Sequence, residues 1–211
     1  MRTIMVLNAK GGSGKSTIAT NLASYYASLG KNVVLADFDQ QESSLGWLRA
    51  RPRGRPPIKG IAAYKEVFKP ARDTDYIIMD APASVHGNVL AQLVKKAETF
   101  IVPVLPSPID MRAAVNFIAE LKNTGPITRK EAKICLVANR ARGNTNIFLM
   151  LDDFLKKVSG VPYVTALREN QNYIKAAMKG IGIFEFAPGA TAIDREEWEP
   201  LIKWIESKSS H

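Results

Sequence analysis

The sequence predicts an α/β protein: a mostly parallel, twisted β-sheet with helices on both faces. Short runs rich in Val, Ile and Leu alternate with longer amphipathic segments, which is typical of parallel strands joined by helices. Several of the short runs are apolar almost throughout, as expected for strands that are covered on both sides. Because 211 residues is the usual size of one domain, we expect a single domain over residues 1–211.

The predicted elements follow one another in strand–helix order. The short apolar runs predict strands at Thr3–Asn8, Asn32–Asp37, Tyr76–Asp80, Thr99–Val104, Lys133–Asn139 and Val161–Ala166. Apolar residues at helical spacing predict helices at Ser16–Leu29, Ser43–Ala50, Tyr64–Arg72, Gly87–Lys96, Met111–Thr124, Thr145–Ser159, Asn170–Lys179 and Arg195–Glu206. Residues 49–60 interrupt the alternation with cations, prolines and glycines and no acid, which predicts an exposed basic loop. This loop is either simply solvated or in contact with phosphate or protein.

Composition narrows the possible classes of function. No apolar run is long enough to span a membrane and no secretory signal is present, so we expect a cytoplasmic protein. The single cysteine, Cys135, lies in an apolar strand and cannot build a disulfide framework. A net charge of +9 suggests an anionic partner such as nucleic acid or an acidic membrane, although a merely soluble basic protein would have the same charge.

A glycine-rich loop separates the first predicted strand from the first predicted helix. It reads Lys10-Gly11-Gly12-Ser13-Gly14-Lys15-Ser16-Thr17. Glycines let the backbone curl so that its N–H groups and the helix N-terminus face a pyrophosphate. In such a loop Lys15 can reach the β- and γ-phosphates, and the Ser16 hydroxyl can ligate Mg²⁺. The sequence therefore predicts a site for ATP and Mg²⁺.

Acidic side chains end two of the predicted strands. Asp37 and Asp39 close the second strand, on the same face, at the edge where open α/β sheets bind ligands. Asp80 ends the third strand, where a carboxylate beside the loop can hold Mg²⁺ through water. Solvated carboxylates at strand ends are the alternative interpretation of these residues.

The loop matches the pattern Lys-Gly-Gly-x-x-Lys-Ser/Thr from Lys10 to Ser16, whereas a generic P-loop would have glycine in place of Ala9. In this the chain resembles the ParA/MinD family of deviant Walker A ATPases. The resemblance implies that Lys10 reaches the phosphates of a dimer partner and that Asp39 orients the attacking water.

The resemblance extends further along the chain, with departures from the family pattern. It implies that Asp37 supports the metal or the loop and that Asp80 is the Walker B carboxylate. Gln40 and Ala83 replace prolines that the family has, so the turns around them are expected to differ. Asn139 is similar to the family asparagine that binds adenine, but it can equally cap a turn between strand and helix.

The resemblance implies an ATPase that forms an ATP-dependent sandwich homodimer, binds DNA nonspecifically and positions or partitions DNA or another large cargo. It also implies a ParB-like or cargo-adaptor protein that stimulates hydrolysis, and a nucleoid-associated location. The chain starts at its first strand, so we expect no N-terminal helix-turn-helix domain. The alternative is a metabolic enzyme of the same superfamily, an amide-forming synthetase or a small-molecule kinase.

The C-terminal region offers two candidate surfaces. Lys175 and Lys179 lie four residues apart on one predicted helix, with Arg168 just before it, and are the candidate DNA contacts. The last predicted helix has an apolar stripe that includes Trp198 and Leu201. Because glutamates dominate its polar positions, we expect this helix to pack on the core rather than on a membrane.

Overall fold

The computed structural model describes residues 1–207 and contains one seven-stranded sheet in which every strand pair is parallel. The strands are β1 (Arg2–Val6), β2 (Val33–Asp37), β3 (Lys59–Ala62), β4 (Tyr76–Asp80), β5 (Thr99–Val104), β6 (Lys133–Ala141) and β7 (Tyr163–Arg168). The sheet is parallel throughout because each connection between successive strands crosses back over the sheet, so that every strand begins at the same end of the sheet.

Strand order places the predicted site at the centre of the sheet. The order is β3-β2-β4-β1-β5-β6-β7, so the chain first builds the strands on one side of β1 and then, from β5 onward, those on the other side. Val6, Asp37 and Asp80 are in register on β1, β2 and β4. Ligands of open α/β sheets bind at the carboxyl edge where the order reverses, and this register brings the two carboxylates to that edge.

Helices cover both faces of the sheet, as predicted. They are α1 (Lys15–Ser28), α2 (Ser43–Arg49), α3 (Gly87–Leu93), α4 (Pro108–Lys122), α5 (Gly125–Thr128), α6 (Asn146–Lys156), α7 (Gln171–Met178) and α8 (Ala192–Glu206). Side chains of α3, α4 and α6 pack on one face, and those of α1, α2 and α8 on the other. Cys135 lies in β6 among the buried side chains of the second face, and burial raises the pKa of its thiol.

The prediction of a helix at Tyr64–Arg72 is wrong. That segment forms turns and irregular backbone, and the strand β3, which the sequence analysis missed, comes just before it. Only the second half of β3 is buried, so its apolar signal is too short to be recognised from the sequence. A carboxylate on the preceding segment holds the turn, because Glu42 accepts hydrogen bonds from the Tyr64 hydroxyl at 2.7 Å and from Lys65 at 3.0 Å.

The basic segment 49–60 is less uniform than predicted. Arg49 ends α2 and Lys59 begins β3, while the side chain of Arg51 is only 5% exposed and pairs with Glu185. A buried ion pair of this kind cannot be recognised from a cationic run, because its acidic partner lies 134 residues away in the chain. The rest of the segment is mostly exposed, as predicted.

The C-terminal helix α8 packs on the core. Trp198, Leu201 and Ile205 are completely buried on the same face of the sheet as α1, which confirms the predicted docking. Within residues 1–207, no helix combines the length and apolar character needed to cross a membrane.

Candidate phosphate-binding site

The glycine-rich loop connects β1 to α1 at the carboxyl edge of the sheet. Gly14 precedes α1 with a φ of 92°, a left-handed conformation that glycine adopts without strain, and no side chain caps the helix. The first N–H groups of α1 therefore have no side-chain acceptor, and no acid occupies the first turn. This arrangement of free N–H groups and helix dipole suits a phosphate group.

The two lysines of the loop have different environments. Lys15 is buried, and its ammonium donates to the carbonyl of Lys10 at 3.3 Å. Lys10 is exposed. Burial lowers the pKa of Lys15, whereas the charges of Asp80 and Asp39 act to raise it. Lys15 is therefore built into the site, while Lys10 remains accessible from outside.

Unpaired buried polar atoms cluster at this loop. Among the described residues, four buried side-chain oxygens lack a hydrogen-bond partner, and three of them are Ser13 Oγ and the two carboxylate oxygens of Asp80. Burial raises the pKa of Asp80 to about 7, and the Ser16 hydroxyl opposes the rise without reaching hydrogen-bond geometry. Buried polar groups are normally paired, so unpaired ones beside a phosphate loop indicate a place that a ligand completes.

These residues fit Mg²⁺ that arrives with a nucleotide. The Ser16 hydroxyl and the unpaired Asp80 carboxylate supply hard oxygen ligands, and the phosphates and waters would supply the others. Within residues 1–207, no cluster of three or more His, Cys, Asp or Glu side chains could hold a metal on its own. Mg²⁺ usually keeps waters and phosphate oxygens as ligands, so a cage made only of protein is not needed.

Asp37 and Asp39 organise the turn after β2. Asp37 is completely buried, and its carboxylate accepts hydrogen bonds from the Asp39 N–H at 2.9 Å and from the Ser44 hydroxyl at 2.8 Å. Asp37 Oδ2 also accepts from the N–H groups of Ser44 and Leu45 in the first turn of α2, while Oδ1 is the acceptor for the Asp39 N–H. Asp37 therefore holds the turn after β2 and the start of α2, while its predicted support of the metal or of the glycine-rich loop stays a prediction.

Asp39 is partly exposed, and one of its oxygens accepts from the Gln41 N–H at 2.9 Å. The geometry leaves the carboxylate at the rim of the phosphate site, where its charge acts on Lys15. A carboxylate in this position can orient a water molecule, which is the predicted role of Asp39.

Asn139 contacts the loop itself. Its side-chain amide donates to the Ser13 carbonyl at 2.8 Å, and a Cβ placed on Gly14 would lie 2.0 Å from the same nitrogen. A cleft of about 380 Å³ opens beside Asn139 and Thr17, and α7 forms one of its walls. The Asn139 amide thus holds the loop and lines the adjoining cleft, and its predicted contact with adenine stays a prediction.

The candidate DNA contacts do not form one cluster. Arg168 lines the cleft and pairs with the buried carboxylate of Asp194 at 2.7 Å. Lys175 and Lys179 are exposed along α7. The charge of Arg168 is therefore balanced within the fold, and only the two lysines present uncompensated charge to solvent.

The residues of α7 that form one wall of the cleft were not predicted from the sequence. Tyr173, Ile174, Ala177 and Met178 line it together with Asn139. Their spacing of one, three and four residues places them on one side of a helix, and that spacing was the only signal for them in the sequence.

A comparison with protein families agrees with this geometry. Residues 4–183 match the CobQ/CobB/MinD/ParA nucleotide binding domain, and the matched region includes the loop, both strand-end carboxylates and Asn139. The chain belongs to this family. It is an ATPase of the ParA/MinD type, with the seven-stranded parallel α/β fold of that family.

Named relatives and solved structures match most of this chain. The "Maintenance of carboxysome distribution protein A" of Halothiobacillus neapolitanus is 28% identical over 204 residues, which is 91% of each chain. The ATP complex of a Cyanothece McdA variant has a TM-score of 0.72 at 16% identity and covers 95% of this chain and 96% of that chain. The structure of pNOB8 ParA bound to nonspecific DNA has a TM-score of 0.58 at 20% identity and covers 75% of each chain.

Proposed function

We propose that this ATPase positions a large cargo by switching between a monomer and an ATP-bound sandwich dimer that holds DNA nonspecifically. The observation that carries the proposal is the contrast between the two loop lysines. Lys15 is buried in its own site, whereas Lys10, in the same glycine-rich loop, is exposed. An exposed cation at the mouth of a phosphate site can serve a second copy that closes over it.

The residues divide the work of hydrolysis. Lys15 and the N–H groups of the loop bind the β- and γ-phosphates, and Lys10 of the facing copy adds charge that stabilises the transferring phosphoryl group. Asp39 positions the attacking water at the rim of the site. Ser16 and Asp80 would hold Mg²⁺, which would neutralise negative charge on the phosphates. Asp37 keeps the turn that carries Asp39 in place.

We propose the kind of cargo from what the relatives are named for. The Halothiobacillus relative is named for carboxysome distribution, and the net charge of +9 suits a DNA surface on which ATP-bound dimers are held. We propose a large cargo that carries a ParB-like or adaptor protein, which stimulates hydrolysis and releases the dimer from DNA, and we propose a nucleoid-associated location.

The test compares dimerisation and DNA binding in ATP, in ADP and without nucleotide. Light scattering after size-exclusion chromatography should show a dimer only with ATP, and fluorescence anisotropy should show binding to unrelated duplexes only in that state. Asp39→Ala should accumulate the dimer, because ATP binds but water is not positioned. Lys10→Ala should bind ATP as a monomer and fail to dimerise.

Two outcomes contradict the proposal. Equal DNA binding with ATP and ADP would remove the switch. A Lys10→Ala variant that dimerises with ATP and hydrolyses it at the parent rate would remove the role of the facing copy, and would favour a metabolic enzyme that acts as a monomer.

A further inference from the structure

The basic segment and the end of α7 are joined by a buried arginine. The guanidinium of Arg51 donates to the two carboxylate oxygens of Glu185, each at 2.8 Å, and to the Gly180 carbonyl at 3.1 Å. It also donates to the Pro56 carbonyl at 3.1 Å, which closes the segment on itself. Arg51 is thus an internal anchor, and it fixes residues 51–56 against the residues that follow α7.

The two backbones are in direct contact at this anchor. Gly180 has a φ of 62°, and a Cβ placed on it would lie 2.3 Å from the backbone nitrogen of Arg51. The Trp47 indole donates to the Ile181 carbonyl at 3.2 Å, which adds a second attachment from α2. Two segments that lie about 130 residues apart in the chain are therefore held as one surface.

The surface carries uncompensated positive charge. A turn from Pro52 to Arg55, closed by an N–H to carbonyl bond of 3.0 Å, presents Arg53 and Arg55 to solvent. A cleft of about 460 Å³ lies between Arg55 and Lys179, and the carboxylate that lines it, Glu185, is already paired with Arg51. Among residues 1–207, no ion pair involves Arg53, Arg55 or Lys179.

We propose that Arg53, Arg55 and Lys179 form one binding surface for the phosphate backbone of DNA. This inference rests on the proposed function and names the residues by which the ATP-bound dimer is held on DNA. It differs from the expectation for the C-terminal helix, because two of the three cations come from the segment before β3 and both Arg168 and Lys175 are left out.

The chemistry of the surface favours a phosphate backbone. Its turn contains only proline, arginine and glycine between residues 52 and 57, so it offers no large apolar side chain for insertion into a lipid layer. Cations on an anchored turn can meet successive phosphates without base contacts, which gives sequence-independent binding. Proline and the Arg51 anchor also reduce the conformational entropy that the segment would lose on binding.

The same helix borders the nucleotide cleft and the proposed surface. Tyr173 and Met178 of α7 line the cleft beside the phosphate loop, and Lys179 follows them directly at the helix end. A nucleotide bound in that cleft would therefore contact the helix that ends next to Lys179.

The experiment compares two triple variants with equal net charge. One is Arg53→Ala with Arg55→Ala and Lys179→Ala, and the control is Lys31→Ala with Lys95→Ala and Lys96→Ala, three exposed lysines without ion pairs in the described structure. Anisotropy with two unrelated duplexes in ATP is measured over a series of salt concentrations. The first variant should bind at least about tenfold more weakly near 100 mM salt, and its salt slope should fall by about 2.7 per protomer.

The control should bind DNA as the parent does, and both variants should keep the parent rate of ATP hydrolysis in the absence of DNA. If the first variant binds like the parent while the parent binds DNA with ATP, the inference is overturned and the proposed function stands. If the parent itself does not bind DNA with ATP, the proposed function fails. Vesicles of anionic phosphatidylglycerol form a third arm of the experiment. If the parent binds these vesicles but not DNA, and the first variant no longer binds the vesicles, DNA is overturned as the partner of this surface.

Discussion

Replacing Arg51 with alanine should destabilise the protein strongly, although the residue lies in a basic segment that looks solvated in the sequence. The side chains of Arg51 and Glu185 are only 5% and 2% exposed. Without the guanidinium, the carboxylate of Glu185 retains one hydrogen bond within residues 1–207, from the Gly182 N–H at 2.8 Å. The Gly180 and Pro56 carbonyls lose their donor as well.

Removing one partner of a buried ion pair costs about 3–5 kcal/mol, because the other charge is left buried without compensation. Water can enter the space left by the arginine and hydrate part of the carboxylate, which favours the lower half of that range. We therefore expect the free energy of unfolding to fall by about 3–4 kcal/mol. Arg51→Met combined with Glu185→Leu should recover much of this loss, since no charge is then left unpaired.

Urea denaturation of the nucleotide-free protein, followed by circular dichroism, measures this loss as a lower midpoint with an unchanged slope. The matched control is Arg55→Ala, which removes the same side chain from the same segment at an exposed position. We expect the control to change the free energy of unfolding by less than about 0.5 kcal/mol. A loss below about 1 kcal/mol for Arg51→Ala would refute the idea that this pair anchors the segment.

Two further predictions concern the phosphate site. Gly14→Ala should lose most of its ATP affinity, because its Cβ would lie 2.0 Å from the Asn139 amide and the φ of residue 14 is 92°. A fluorescence titration with a labelled nucleotide measures this affinity, and a value within about twofold of the parent would contradict the prediction. Asp80→Asn should stabilise the protein by up to about 4 kcal/mol at pH 8, in EDTA and without nucleotide. The folded parent holds the pKa of Asp80 at about 7, well above its value in the unfolded chain. The stability of the parent therefore falls as the pH rises from about 4 to 7, and the variant avoids this loss. The difference between variant and parent should vanish near pH 4, and a difference in urea midpoint that stays constant with pH would show that burial of the charge is not its cause.

Much of the fold could be predicted because its signals are local. Continuous apolar runs marked six of the seven strands, and helical spacing marked the long helices. The exceptions share one physical reason. β3 is a strand because its backbone pairs with β2 and because Gly60 leaves room for Leu45 and Leu48, and neither contact is encoded in the four residues of the strand. In the segment after β3 the apolar residues have a spacing that suggests a helix, but the backbone there is irregular.

The site divides in the same way. The loop from Lys10 to Thr17 was recognisable from sequence alone, since phosphate binding needs glycines, a lysine and a hydroxyl at fixed short spacing. The strand-end position of Asp80 was likewise local, but the absence of any hydrogen bond to its buried carboxylate depends on how β1, β2 and β4 are placed together.

By itself the sequence determined the fold class, the family and the nucleotide loop, because the signals for each are made of residues that lie close together along the chain. Only the tertiary structure decided which charges remain available for binding. It paired Arg51 with Glu185 and Arg168 with Asp194, and it brought Arg55 beside Lys179. The physical reason is that the partner of a charge is chosen by distance in space, and residues far apart along the chain become neighbours only when the sheet and its helices have packed.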